Sequence, residues 1–189
     1  MSHFSRLKAN LTNLENLKAV LEQDLGLTPK YEPTRISIPG SQFDCRYTLS
    51  FGLVKDAQNG DQWQIEGDLW YISRTRLGGL TRSVESNIVA LYTKRQVEQQ
   101  IAMNGVGWSV GEMRLAEDGR TIVIPATGLS GEEIKTTVDY LKVSVGVTGV
   151  QGPGCLDITN HLTSTYLLEE QTQTDEFALT EVDYNYLYQ

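Results

Sequence analysis

Two segments of alternating polarity, residues 45–54 and 63–72, flank Asn59-Gly60. Asn and Gly both tolerate the positive φ angles of a type I′ turn, so this pair folds its flanks back on one another as an antiparallel hairpin. In the second arm Trp63, Ile65, Gly67, Leu69 and Tyr71 share one face, while Gln64, Glu66, Asp68 and Trp70 share the other. Such alternation predicts a sheet covered on one side only, and the cover has to come from helices.

The sequence provides them. Thr12-Asn13-Leu14-Glu15 reads as a capping box, with the Thr12 hydroxyl on the Glu15 amide and the Glu15 carboxylate reaching back. Leu14, Leu17, Val20, Leu21 and Leu25 follow at three- and four-residue spacing, and Gly26 stands where a left-handed helix end is wanted. A short strand at Arg35-Ile36-Ser37-Ile38 lies between prolines, and Gly78-Gly79 breaks the chain before a second, longer helix over about 81–103. Its stripe of Val84, Ile88, Leu91, Tyr92, Arg95, Val97, Gln99 and Ile101 is less clean. A second hairpin, 108–115 with 121–125, turns at Asp118-Gly119. With a first strand at residues 2–9, the order predicts an α+β domain, an antiparallel sheet with two helices on one face in ferredoxin-like order. That domain spans 1–128. Residues 129–168 read as a small strand–loop–helix module, its strand at 140–147, and 169–189 as an acidic aromatic tail.

Composition narrows the classes. No run of 18 apolar residues exists, so no transmembrane helix is expected, and the polar N-terminus lacks an apolar signal core. The expectation is a cytoplasmic protein with no membrane partner. Cys45 and Cys155 are too few for a disulfide framework or a zinc cage. Of the formal net charge of −8, residues 167–189 account for −6 and contain neither Lys nor Arg. An acidic chain repels phosphate backbones, so nucleic acid is not expected as a partner. The tail also carries Phe177, Leu179, Val182, Tyr184, Tyr186, Leu187 and Tyr188. A solvated, mobile end explains the charge, but purely solvating tails have few aromatics, so part of this one is expected to dock, on its own domain or on a partner.

The opening Met1-Ser2-His3-Phe4-Ser5, Lys8 and the Leu-rich helix, with Trp63-Gln64-Ile65-Glu66-Gly67-Asp68-Leu69-Trp70-Tyr71 and Glu117-Asp118-Gly119, resemble an uncharacterised family of cyanobacteria and algal plastids. This is the hypothetical chloroplast open reading frame thirty-five family. The last third, marked by Gly149-Val150-Gln151-Gly152-Pro153-Gly154-Cys155-Leu156, is similar to a second small family of unknown function. Members of the two are often encoded side by side, frequently near an AAA-type ATPase and sometimes a ferredoxin. The resemblance therefore implies a fusion of two neighbours and an ATPase as partner, and it supplies no mechanism.

The Gly152-Pro153-Gly154-Cys155 loop is the sharpest site candidate in the sequence. A Gly-rich turn into a helix exposes amides and favours an anion or a thiolate, making Gly152, Gly154 and Cys155 a candidate anion or ligand site. The Walker ending and the dinucleotide fingerprint are both missing, and a small buried thiol explains the same residues. Six residues separate Cys155 from His161, so the two do not share a ligand face, and no metal spacing appears. Nothing resembles a nucleophile elbow, and Glu132/Glu133 and Glu117/Asp118 read as solvated turn charges. Arg74, Arg76, Arg82, Lys94 and Arg95 gather around the long helix, either as a solvated face or as a basic face for an acidic partner or the chain's own tail. Trp63, Trp70 and Trp108 read as core or sheet-face residues.

These observations favour a non-enzymatic adaptor or regulatory subunit without a cofactor. Its tail residues Phe177, Tyr184, Tyr186 and Tyr188 would anchor it on a basic groove of the ATPase. The alternative is a small-ligand or redox-sensing module built on Cys155. Edge strands give a route to a homodimer.

Overall fold

The computed structural model describes residues 5–57, 60–104, 107–139 and 145–150; of these, 5–10, 56, 104 and 145–150 are described by their backbone. Two antiparallel sheets and a long helix make up the fold. Strands β1 (Ser5–Leu11), β2 (Lys30–Glu32), β3 (Arg35–Ile38), β4 (Leu49–Asp56) and β5 (Gly60–Gly67) form the first sheet, in the order β1-β5-β4-β3-β2. The β4–β5 hairpin closes with Asp56 opposite Gly60, whose φ is +79°. The hairpin therefore reverses beside Asn59-Gly60 as expected, but Gly60 is itself paired and three residues separate it from Asp56, so the register is not that of a two-residue type I′ turn centred on Asn59-Gly60.

The second sheet contains β6 (Ser109–Val110), β7 (Arg114–Leu115), β8 (Thr121–Thr127), β9 (Glu133–Asp139) and β10 (Val145–Val150). Its order is β10-β9-β8-β6, with β7 also pairing β8. The chain reverses between β8 and β9 through Leu129, Ser130 and Gly131, so residues on both sides of position 128 share this sheet. The mixed α+β class is as expected, but the arrangement is two sheets rather than one with ferredoxin-like order. The strands after the long helix pair among themselves instead of adding to the first sheet. Of the strand expected at 140–147, residues 145–147 fall in β10 and 140–144 lie outside the described residues; β9, just before it, is a strand that the sequence reading does not include.

Helix α1 (Leu14–Ala19) runs into a π-helical turn, Val20–Asp24, and Gly26 follows with a φ of +62°. Its cap is Asn13, one residue later than the capping box implies. The Asn13 side chain accepts from the Asn16 amide at 3.1 Å, and the Asn13 amide donates to the Tyr92 hydroxyl at 2.9 Å. That second bond comes from α3 (Val84–Asn104), so tertiary contact selects the cap.

Helix α3 packs on β1 and α1 and also on β6, β8 and β9. Val84, Ile88, Val89, Ala90 and Tyr92 share one buried cluster with Leu17, Leu21, Ile36, Phe51 and Ile65 from the first sheet and its helix, and with Ile122, Ile124 and Val138 from the second. Val97 and Ile101 make a smaller cluster with Ala126 and Ile134. A helix buried against two sheets has no single apolar stripe. It also buries Ser86, Asn87 and Thr93, which is why its periodicity is blurred. Its start is set by Ser83, whose hydroxyl accepts from the Ser86 amide at 3.2 Å, while the Ser73 hydroxyl accepts from the Val84 amide at 3.0 Å.

Candidate functional site

Strand β5 stops at Gly67 rather than continuing to residue 72. Gly67 has a φ of +153°, and a Cβ there would meet the Thr48 carbonyl oxygen at 2.9 Å. The next residue, Asp68, begins a single helical turn, α2 (Leu69–Ile72), with its carbonyl accepting from the Tyr71 and Ile72 amides. This break sends Leu69 and Ile72 into the core and turns Trp70 outward, 52% exposed. Trp63 is buried and Trp108 half-buried, so Trp70 alone of the three departs from the expected core or sheet-face role.

Around Trp70 the structure assembles a corner of aromatic rings and guanidinium groups. The Trp70 and Tyr71 rings meet edge to face, their centroids 4.6 Å apart, and Tyr71 lies 5.0 Å from Tyr47. Arg74 places its guanidinium carbon 3.1 Å from the centre of the Trp70 ring. Arg46 stands 4.6 Å from the centre of Tyr47 and 5.4 Å from that of Tyr71. The Tyr47 hydroxyl accepts a hydrogen bond from Arg46 Nη2, which is the main reason the Arg46 pKa lies above its ordinary value. Both arginines are exposed. Cation–π stacking holds them in fixed positions without removing their charge from the surface.

Two buried carboxylates, Glu66 and Asp68, lie at the end of β5, next in sequence to this corner. Glu66 is buried and compensated: Arg35 Nη2 is 3.7 Å from its Oε2 and also donates to the Ser50 hydroxyl at 2.9 Å. Gly52, opposite, leaves room for it, since a Cβ there would sit 2.6 Å from Glu66 Oε1. Asp68 is 5% exposed, and neither carboxylate oxygen has a hydrogen-bond partner. Gln62 and Gln64 are buried along with Glu66 and Asp68, so both faces of β5 are covered, where alternation predicts one.

The cations read as either a solvated or a basic face mostly have separate partners. Arg76 donates to the Leu25 and Gln42 carbonyls, Arg95 pairs with Asp24, and Lys94 pairs with Glu98 at 3.5 Å. Of the five cations only Arg74 joins the corner, together with Arg46, which the sequence pattern does not single out. One signal for the site is legible: an Asp after a Gly starts a helical turn, and that turn brings Trp70 close to Arg74.

Gly152, Gly154, Cys155, Phe177, Tyr184, Tyr186 and Tyr188 lie outside the described residues, as does His161. Cys45 is half-buried against the core. Among the described residues, no three His, Cys, Asp or Glu side chains gather as a metal site, and no helix is long and apolar enough to cross a membrane. Compared with family models, with curated proteins and with solved structures, the chain matches none.

Proposed function

We propose that this chain is a non-enzymatic adaptor or regulatory subunit that works with an AAA-type ATPase. The reading is carried by the exposed corner of Arg46, Tyr47, Trp70, Tyr71 and Arg74. Trp, Tyr and Arg are the residue types that dominate binding energy at protein interfaces, because each presents a large, stiff contact area with a polar handle. A chain gains nothing in folding from leaving Trp70 half in water, whereas a docking surface needs such an anchor. The resemblance to families encoded near such ATPases suggests the partner, and the tail with Phe177, Tyr184, Tyr186 and Tyr188 supplies a second contact.

The test is affinity capture with mass spectrometry, using the full chain, a Trp70→Ala variant and a chain cut after Leu168. The reading expects one stoichiometric ATPase with the full chain and a reduced yield with either variant. Equal recovery by all three would refute it.

A further inference from the structure

Asp68 is the least compensated carboxylate among the described residues. Its carboxylate oxygens are buried and accept no hydrogen bond, whereas Glu66, two residues earlier, has Arg35 beside it. A carboxyl group removed from water without a hydrogen-bond partner is unfavourable, and such a group in a native fold calls for something that completes it. The surface beside it is already shaped for cations. Trp70, Tyr47 and Tyr71 each hold a guanidinium from this chain against a ring face, and one of the two, Arg46, feels the charge of Asp68. Arg46 and Arg74 are both exposed, so an incoming cation can displace either of them.

We propose that Asp68 receives a cationic side chain, the guanidinium or ammonium group of a basic segment of the docking partner, at the base of the Arg46–Tyr47–Trp70–Tyr71 corner. The proposal rests on that corner being a docking surface and adds what the partner must present there. Charge chooses the occupant. An anion entering beside Asp68 is repelled, and the chain's own tail at 167–189 has no Lys or Arg to offer it. The two guanidinium groups of this chain at the corner, Arg46 and Arg74, are held on ring faces and make no hydrogen bond to Asp68, so the proposed basic side chain comes from another molecule. Ring faces hold its cation as they now hold Arg46, and the buried carboxylate supplies the charge-assisted hydrogen bonds.

The experiment titrates the isotopically labelled full-length protein with acetyl-Gly-Arg-Gly-amide and, in parallel, with acetyl-Gly-Gln-Gly-amide. NMR reads the Trp70 indole N–H and the Asp68 carboxyl carbon. The Arg peptide is expected to shift both signals saturably and the Gln peptide to shift neither. Asp68→Asn should weaken Arg-peptide binding about tenfold or more, the usual loss for a charged hydrogen bond. Arg46→Ala should tighten it by removing the competing cation. Thermal melting of Asp68→Asn should show no loss of stability, because the native carboxylate has no hydrogen bond to lose.

Equal binding to wild type and Asp68→Asn, equal shifts from the two peptides, or no saturable binding even to Arg46→Ala would each overturn the proposal. A protein that takes the Arg peptide through Asp68 but captures no ATPase refutes the adaptor reading and leaves the site standing. Trp70-dependent capture of the ATPase without Arg-peptide binding refutes the Asp68 site and leaves the adaptor reading standing.

Discussion

Gly79→Ala tests the part of the fold that holds the Trp70 corner against α3. Residues Arg76–Thr81 form a 3-10 turn between α2 and α3, and Gly79 kinks it with φ 59° and ψ −145°. That backbone region is nearly closed to residues with a Cβ, at a cost of about 1–3 kcal/mol. A Cβ at position 79 would also overlap the side-chain amide of Asn87. Asn87 is buried, and its Nδ2 donates to the Leu77 carbonyl at 3.0 Å. Displacing it orphans a buried donor and acceptor, about 1–3 kcal/mol more. Together the two terms predict a loss of roughly 2–6 kcal/mol, with Tm lower by roughly 4–24 °C for a chain of this size. Urea unfolding of wild type, Gly79→Ala, Asn87→Ala and the double variant separates the terms. In the Asn87→Ala background the overlap is gone, so adding Gly79→Ala should cost only the backbone strain. A Gly79→Ala protein within about 0.5 kcal/mol of wild type would refute the reasoning, as would the same cost in both backgrounds.

Other consequences follow from local geometry. Arg95 grips Asp24 through Nε and Nη2 at 2.7 and 2.8 Å and also reaches Gln23, tying α3 to the π-helical turn. Arg95→Ala should therefore destabilise by about 1–2 kcal/mol in urea unfolding, with Arg95→Lys recovering only part, and an unchanged midpoint would contradict this. Asp118 accepts from the Thr121 hydroxyl at 2.6 Å and from the Arg120 and Thr121 amides, which lowers its pKa to about 2. The ionised form is favoured by folding, so its stabilising effect is present above the ordinary Asp value near ~4 and is lost as pH falls through about 2. A carboxyl-carbon titration should show that midpoint in wild type and a higher one in Thr121→Val; a wild-type midpoint near ~4 would contradict the assignment. Trp70→Ala, at an exposed position, should leave the urea midpoint within about 0.5 kcal/mol of wild type, and a larger loss would mean that Trp70 supports the fold.

Local chemistry makes part of this fold legible. The strand Arg35–Ile38 and the turn before Gly60 depend on prolines, β-branched residues and an Asn-Gly pair, which act without distant help. The cap of α1 falls on Asn13 rather than Thr12 because Tyr92, far along the chain, takes the Asn13 amide. Strand β5 is shorter than its pattern predicts because Leu69-Trp70-Tyr71-Ile72 is as apolar as a strand, and only the backbone at Gly67 and Asp68 shows the break. The second sheet is hidden for another reason. Pairing of β8 with β9 and the burial of Ile122, Ile124 and Val138 beside Ile88 are long-range outcomes that periodicity does not encode. The candidate site is the least legible part, since Arg46 and Tyr47 join Trp70 and Arg74 only once β4 and β5 pair.

The most direct measurement is ATPase recovery by wild type against a Trp70→Ala/Arg74→Ala variant whose unfolding midpoint matches wild type. Wild type should retain one stoichiometric ATPase and the variant should lose it. Full recovery by the folded variant would contradict the claim that the Trp70 corner is the docking surface.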